Sequence, residues 1–199
     1  MKLLETIQIH NGQAKRLSYH NERMNRSRHQ MMCAMGDIYL EEVLKIPEEL
    51  RKGKVKCRVL YDEQVSKIEF EHYQERRIDS FHLVDTQIIY DHKFEDRQQF
   101  NKLKSGFLSS SEIIMVKNGF ITDTTYSNLI FRDKNENWLT PSTPLLLGTQ
   151  REFLLDEGIV EESEIKVSDL DQFTHFMMIN AMLDFDEERA IDIKSIIDA

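Results

Sequence analysis

Hydrophobic and polar residues alternate along several short segments, and a period of two predicts β-strands. The first such segment, Leu3 to His10, ends at Asn11-Gly12, a dipeptide typical of a tight hairpin turn. KVKCRVLYDE and VSKIEFEHY show the same period and predict two further strands. Four later segments are also strand-like: FHLVDTQIIY, EIIMVKNG, SNLIFRD and NWLTP. The pattern therefore predicts a chain rich in short strands.

Helical patterns interrupt these strands. The first predicted helix starts at a Ser18 cap, carries a stripe of methionines on one side and stops at Gly36. Pro47 suits the first turn of a second helix, and EDRQQFNKL and TQREFLLDEG predict two more. The polar stretch QERRIDS is the predicted linker. The fold class is therefore α+β with two sub-domains, residues 1–76 and residues 77–199.

Charge and cysteine content exclude several classes of function. The 199 residues carry 26 basic and 35 acidic side chains, a net charge of −9, so we expect no nucleic acid and no anionic lipid as partner. Two cysteines without a short spacing predict neither a disulfide framework nor a metal site. The N-terminus lacks the apolar core of a signal peptide, and no apolar run is long enough to span a membrane. We expect a soluble, cytoplasmic protein.

Lys93 is the first candidate for chemistry. It stands in YDHKFEDRQQFNKL, where an apolar strand from Leu83 to Ile89 is predicted to end and a helix to begin. Partial burial would disfavour the charged form of a lysine, lower its pKa and make its amine nucleophilic. The alternative from the residues alone is a surface lysine at a strand end.

Three further positions suit an anionic, heterocyclic ligand. Asp123 is predicted to lie in a Thr/Ser-rich loop of GFITDTTYSNLIF, where it can accept a hydrogen bond from a ring N–H, or else close an Asx turn or cap a helix. The helix that opens at Thr149 after Gly148 presents backbone N–H groups suited to a phosphate, or is an ordinary loop-to-helix junction. His20 and Arg23 share one helix face, where Arg23 suits a phosphate or is simply exposed.

Five segments, in this order, resemble the class IV pyridoxal-phosphate family of aminotransferases and aminodeoxychorismate lyase. They are LLETIQIHNG with LSYHNERMNRS, the Lys93 segment, GFITDTTYSNLIF, WLTPSTPLLLGTQR and FMMINAML. The resemblance extends from Leu4 to Leu183. It implies the fold type IV architecture of D-amino-acid aminotransferase, with a small N-terminal α/β sandwich and a larger C-terminal pseudo-barrel. It also implies a homodimer.

The resemblance implies pyridoxal 5'-phosphate as cofactor, an amino-acid-like small molecule as substrate, and a role for each matching residue. Lys93 would be the Schiff-base lysine and the acid/base of the reaction. The other cofactor ligands would lie at the phosphate or at the pyridine nitrogen: Arg23, Thr149, Gln150, Asn180 and Ala181 at the phosphate, and Asp123 at the nitrogen. Arg97 and Arg151 are candidates for binding a substrate carboxylate.

The chain departs from the family pattern at two places. Asp123 is one methylene shorter than the family's glutamate, which predicts a longer or water-mediated contact with the ring nitrogen. Relatives carry about one extra strand and a loop ahead of the ET segment, whereas Glu5 stands close behind Met1 here. INAML and the Gly148–Arg151 segment favour the lyase. The alternatives are an aminotransferase acting on a branched-chain or D-amino acid, and a degenerate, non-catalytic family member.

Overall fold

The computed structural model describes residues 2–198, which divide into two compact units. The first unit contains the chain through Glu75 together with His92–Asp96, and the second contains Arg76–Asp91 and the chain from Arg97 onward. The segment His92–Asp96 lies between these two stretches of the second unit in the sequence, but it packs with the first unit. The sequence contains no signal for this change of unit. The change places Lys93 in the first unit.

The chain forms thirteen strands and four α-helices within the described residues. The strands are β1 (Leu3–His10), β2 (Gln13–Ala14), β3 (Lys54–Tyr61), β4 (Val65–His72), β5 (Ser80–Asp85), β6 (Ser111–Lys117), β7 (Phe120–Thr124), β8 (Asn128–Asp133), β9 (Trp138–Pro141), β10 (Glu161–Ser163), β11 (Phe173–Ile179), β12 (Ile191–Asp192) and β13 (Ile196–Asp198). The helices are α1 (Leu17–Met32), α2 (Leu40–Val43), α3 (Gln98–Lys104) and α4 (Thr149–Asp156). Within residues 2–198, no helix is long and apolar enough to cross a membrane.

The first unit is an antiparallel four-stranded sheet, in the order β2-β1-β3-β4, packed against α1. Asn11 and Gly12 both have positive φ, 48° and 78°, as the predicted hairpin turn requires. Alternate residues of β1 and β3 are fully buried and form the core with Met24 of α1. Glu5 lies in this buried phase of β1, where the pattern would place an apolar side chain.

The predicted ends of α1 are wrong. The helix begins at Leu17 after Arg16, whose φ is 53°, and no side chain caps it, so Ser18 is inside the helix. It ends at Cys33, also in the left-handed region, ahead of Gly36. The helix stops early because Asn25 exchanges two hydrogen bonds with the backbone of Ile38, which folds the following chain back across the helix. Side-chain contacts override the glycine signal here.

The second unit contains two sheets, with strand orders β13-β5-β6-β7 and β10-β9-β8-β11-β12. The Asn118-Gly119 turn joins β6 to β7, and both turn residues have positive φ. Residues 125–127 carry the chain from β7 in one sheet to β8 in the other. Phe81 and Phe176 meet edge to face between the sheets, with ring centroids 4.8 Å apart.

Two other predicted elements are shorter than expected. FHLVDTQIIY forms a strand only to Asp85, and the following apolar residues run outside any strand. The helix predicted at Pro47 is a single 3-10 turn, Glu48–Leu50, with Pro47 as its N-cap. A hydrophobic pattern shows which side chains are apolar, but it does not show whether the backbone pairs with a neighbouring strand or continues a helix.

Candidate functional site

Lys93 lies in an irregular segment that adds to the start of β1 in the first unit. Its carbonyl accepts a hydrogen bond from Leu4 N at 2.9 Å, and Phe94 forms an antiparallel bridge with Leu3. The side chain of Lys93 is half-buried. The prediction that an apolar strand delivers Lys93 to a helix start is wrong, because β5 ends at Asp85 and α3 begins only at Gln98.

Residues on both sides of Lys93 hold this segment to the first unit. His92 Nδ1 lies 3.2 Å from Ser27 Oγ, on the helical turn that follows Arg23. The Phe94 ring packs against the apolar core of the first unit. The backbone of Lys93 is therefore anchored between β1 and α1, which are the two elements that also position Arg23.

Arg23 belongs to a buried cluster with Glu5 and His20. Its Nε donates to Glu5 Oε1 at 2.9 Å and its Nη2 to Glu5 Oε2 at 2.5 Å. His20 Nδ1 lies 2.6 Å from the same Oε2. Glu5 and His20 are fully buried, and Arg23 is 6% exposed. Arg23, predicted from the sequence to contact a phosphate, is thus paired along one edge of its guanidinium with a carboxylate that the sequence reasoning missed.

The cluster shifts the pKa of two of its groups. Burial alone would raise the pKa of Glu5, but the charge of Arg23 and the hydrogen bonds from His20 and Arg23 outweigh it and hold that pKa at about 2. Burial lowers the pKa of His20 below 6.5, although Glu5 opposes this shift. His20 is therefore neutral at neutral pH and donates its Nδ1 proton to Glu5. The phase of Glu5 along β1 is the signal that could have identified the cluster.

Asp123 is buried near the end of β7, not in the loop predicted for it. Its Oδ1 accepts from Asn128 Nδ2 at 2.8 Å, and its Oδ2 accepts from the backbone N–H groups of Leu145 and Leu146 at 2.8 and 3.0 Å. None of these three donors carries a charge. Burial therefore raises the pKa of Asp123 from 3.8 to about 6, although the three hydrogen bonds and the more distant Arg151 lower it.

Helix α4 begins at Thr149, as predicted, and its start is buried. Gly148 is the N-cap and no side chain caps the helix. Thr149 and Gln150 are at most 3% exposed, and Gln150 Oε1 has no hydrogen-bond partner within the described part of the chain. A helix start carries a partial positive charge and N–H groups directed outward, so this one suits an anion.

Asn180 closes the end of β11. Its Oδ1 accepts from Met182 N and Leu183 N, and its Nδ2 donates to Ser127 Oγ at 2.8 Å. Ala181, the next residue, is buried. Ser127 and Asn128 are neighbours, so the 127–128 pair connects Asn180 to Asp123 within the second unit. The side chain of Asn180 is committed to these contacts, which sequence reasoning did not anticipate.

The two arginines considered for a substrate carboxylate both lie in the second unit and make their contacts within it. Arg151 is 2% exposed; it donates to the carbonyl of Pro141 and pairs with Glu162. Arg97 donates to the carbonyl of Thr125, and its guanidinium lies 4.3 Å from the centre of the Phe100 ring. Residues 2–198 contain no group of three or more His, Cys, Asp or Glu side chains arranged to hold a metal ion.

The predicted site residues thus fall into two sets. Arg23 and Lys93 lie in the first unit, on adjoining segments held by β1 and α1. The second unit contains the others: Asp123, Thr149, Gln150, Asn180 and Ala181. Within that unit, Ser127 and Asn128 bring the carboxylate, the helix start and the end of β11 together.

Comparisons with known proteins agree on one family and one fold. The family model described as amino-transferase class IV matches residues 108–185. An uncharacterized protein of Haemophilus influenzae is 36% identical over 183 residues, which cover 90% of this chain and 97% of that protein. A crystal structure from Haemophilus somnus, provisionally assigned as a 4-amino-4-deoxychorismate lyase, is 35% identical with a TM-score of 0.85 and covers 92% of this chain and 97% of that one.

A more distant structure extends the comparison to a protein that holds the cofactor. The pyridoxal-phosphate-bound form of a hypothetical aminotransferase from Mycobacterium tuberculosis is 15% identical, with a TM-score of 0.73, and covers 98% of this chain and 81% of that one. This likeness concerns the fold alone. Together with the Haemophilus somnus structure, it confirms the predicted α+β class and fold type IV architecture.

Proposed function

Because the chain belongs to the class IV aminotransferase family, we propose that it binds pyridoxal 5'-phosphate at Lys93 and cleaves 4-amino-4-deoxychorismate to 4-aminobenzoate and pyruvate. Members of this family bind pyridoxal phosphate. The observation that carries the proposal is in the second unit, where a buried carboxylate and a buried, uncapped helix start are joined through Asn128.

The chemistry of these groups fits the cofactor. The three groups that donate hydrogen bonds to Asp123 are uncharged, and burial raises its pKa to about 6. A cationic donor would therefore stabilise the ionised form of Asp123. A protonated pyridine nitrogen is such a donor. The start of α4, with Thr149 and Gln150, suits the phosphate by its partial charge and its N–H groups. Arg23 would add a charge to the phosphate, with Glu5 holding one edge of its guanidinium.

When bound, pyridoxal phosphate withdraws electrons from the carbon that carries the substrate's amino group. The role of Lys93 Nζ is to take the proton from that carbon. The bond between the six-membered ring of the substrate and the enolpyruvyl oxygen then breaks, and that ring becomes aromatic as 4-aminobenzoate. The released enolpyruvate takes up a proton to give pyruvate. The atoms balance without a further reactant. The anchored backbone of Lys93 limits the positions that its amine can reach.

The lyase reaction is preferred over transamination for two reasons. The similar structure from Haemophilus somnus, which this chain covers almost completely, is provisionally assigned as that lyase. The segments INAML and GTQR also resemble the lyases more than the aminotransferases. A homodimer and a cytoplasmic location, both implied by the resemblance or the composition, stay predictions.

The first experiment tests cofactor attachment. Purified protein is incubated with pyridoxal phosphate, reduced with borohydride, digested and analysed by mass spectrometry, with Lys93→Arg and the exposed-lysine variant Lys102→Arg in parallel. We expect the reduced cofactor on the Lys93 peptide in the wild type and in Lys102→Arg, and none in Lys93→Arg. Protein that stays colourless and unlabelled would support the non-catalytic alternative and refute the proposal.

The second experiment tests the reaction. Protein loaded with the cofactor is mixed with 4-amino-4-deoxychorismate, and pyruvate is followed with lactate dehydrogenase and NADH. We expect pyruvate and 4-aminobenzoate in equal amounts, and none from Lys93→Arg. Absence of pyruvate would remove the lyase. If branched-chain or D-amino acids convert the bound cofactor to its amine form instead, the chain is an aminotransferase.

A further inference from the structure

Asn128 occupies the junction between the two sheets of the second unit. It is the first residue of β8, 6% exposed, and follows directly on the turn that leaves β7. Both protons of its amide are used: Nδ2 donates to Asp123 Oδ1 at 2.8 Å and to the carbonyl of Leu146 at 2.9 Å. Leu146 lies just ahead of the α4 start, so one amide spans the carboxylate and the chain that leads into the helix.

The other end of the same amide lies against the helix N-cap. A Cβ placed on Gly148 would lie 1.9 Å from Asn128 Oδ1, which is far inside contact distance. Gly148 has an extended backbone with φ −80° and ψ 139°, which any residue can adopt. The glycine therefore serves to leave room for the amide.

We infer that Asn128 is a positioning residue that holds Asp123 and the start of α4 at a set separation, so that one rigid element aligns the ring end and the phosphate end of the bound cofactor. This inference rests on the proposed function. Side-chain chemistry explains why an amide is needed. An aspartate would face the Asp123 carboxylate and the Leu146 carbonyl with oxygen alone, and an apolar side chain would donate to neither.

Four variants test the inference: Asn128→Ala, Gly148→Ala, the double variant, and the control Asn135→Ala in the exposed turn after β8. Each is titrated with pyridoxal 5'-phosphate, and separately with inorganic phosphate, and each is unfolded in urea. We expect Asn128→Ala to weaken pyridoxal phosphate binding roughly tenfold or more, because a hydrogen bond to a charged group is lost. Inorganic phosphate has no ring to contact Asp123, so its binding does not depend on the separation of Asp123 from the helix start, and it should bind within about twofold of wild type.

The double variant separates positioning from simple stability. Gly148→Ala alone should lower both the midpoint of urea unfolding and the affinity, because its Cβ displaces the amide. In the Asn128→Ala background the Cβ has room, so Gly148→Ala should no longer lower the midpoint. Affinity for pyridoxal phosphate should stay weak, since the link to Asp123 is still missing. If Asn128 had a merely structural role, the double variant would exceed Gly148→Ala both in the midpoint of urea unfolding and in the affinity for pyridoxal phosphate. That result would overturn the inference.

Two further outcomes are decisive. Pyridoxal phosphate binding by Asn128→Ala that matches wild type and the Asn135→Ala control would overturn the positioning role while leaving the proposed function intact. Wild-type protein that binds no pyridoxal phosphate would overturn the proposed function, and the inference with it.

Discussion

Replacing Glu5 with glutamine tests the buried cluster of the first unit directly. The substitution keeps the shape of the side chain and removes its charge. It leaves the Arg23 guanidinium, 6% exposed, without the carboxylate that it contacts through Nε and Nη2. His20 would still find an acceptor in the amide oxygen, so the main loss is the buried ion pair.

Two routes to the magnitude agree. A pKa held at about 2 instead of 4.5 corresponds to about 3 kcal/mol of stability at neutral pH. Because the pKa is lowered on folding, this contribution is complete above pH 4.5 and is lost as the pH falls toward 2. Removal of one partner from a buried ion pair costs about 3–5 kcal/mol in general. We therefore expect Glu5→Gln to lower the free energy of unfolding by about 3 kcal/mol.

The assay is urea unfolding of the cofactor-free protein at pH 7, followed by circular dichroism and by hydrogen exchange of the β1 and β3 amides. Glu71→Gln is the matched control, since Glu71 is paired with Lys56 on the surface of the same sheet and should cost less than about 1 kcal/mol. If the two substitutions lower the free energy of unfolding equally, the buried ion pair of Glu5 and Arg23 does not stabilise the first unit more than a surface pair does. Glu5→Gln combined with Arg23→Met should recover part of the loss, because no buried charge then remains unpaired.

Two further predictions concern the same unit. Burial lowers the pKa of His20, so below pH 6.5 the unfolded chain takes up a proton that the folded chain does not. The free energy of unfolding of the wild type should therefore decrease from pH 7 to pH 5 in urea unfolding. His20→Gln should make this decrease smaller. Phe94→Ala removes the ring that anchors the segment of Lys93 and should cost about 2 kcal/mol. Phe94→Ala should also reduce borohydride labelling of Lys93. The control Phe107→Ala, in the second unit, should leave that labelling unchanged. Equal labelling of the two variants would contradict the anchoring role of Phe94.

Much of the fold could be predicted because its signals are local. The period of two along β1 and β3 predicted both strands, and Asn11-Gly12 and Asn118-Gly119 predicted turns whose positive φ angles the structure shows. The start of α4 at Thr149 was predicted from the glycine before it and the helical pattern after it. These features depend on residues that are neighbours in the chain, so a sequence pattern can report them. The order of five motifs was enough to identify the family.

Other features of the site depend on residues that are distant in the chain. The return of His92–Asp96 to the first unit follows from hydrogen bonds to β1 and from the packing of Phe94, and neither has a local signature. The predicted Gly36 stop of α1 was wrong for the same reason, because Asn25 draws the chain back earlier. Prediction failed wherever tertiary contacts outweighed local preference.

Sequence patterns alone therefore identified most of the strands and turns, the family, and the candidate residues for the proposed chemistry, Lys93 and Asp123 among them. The partners of these residues became visible only in the folded chain: Glu5 pairs with Arg23, and Asn128 links Asp123 to the start of α4. The physical reason is that a buried charge or amide must find its partner in three dimensions, and a pattern along one dimension does not specify that partner.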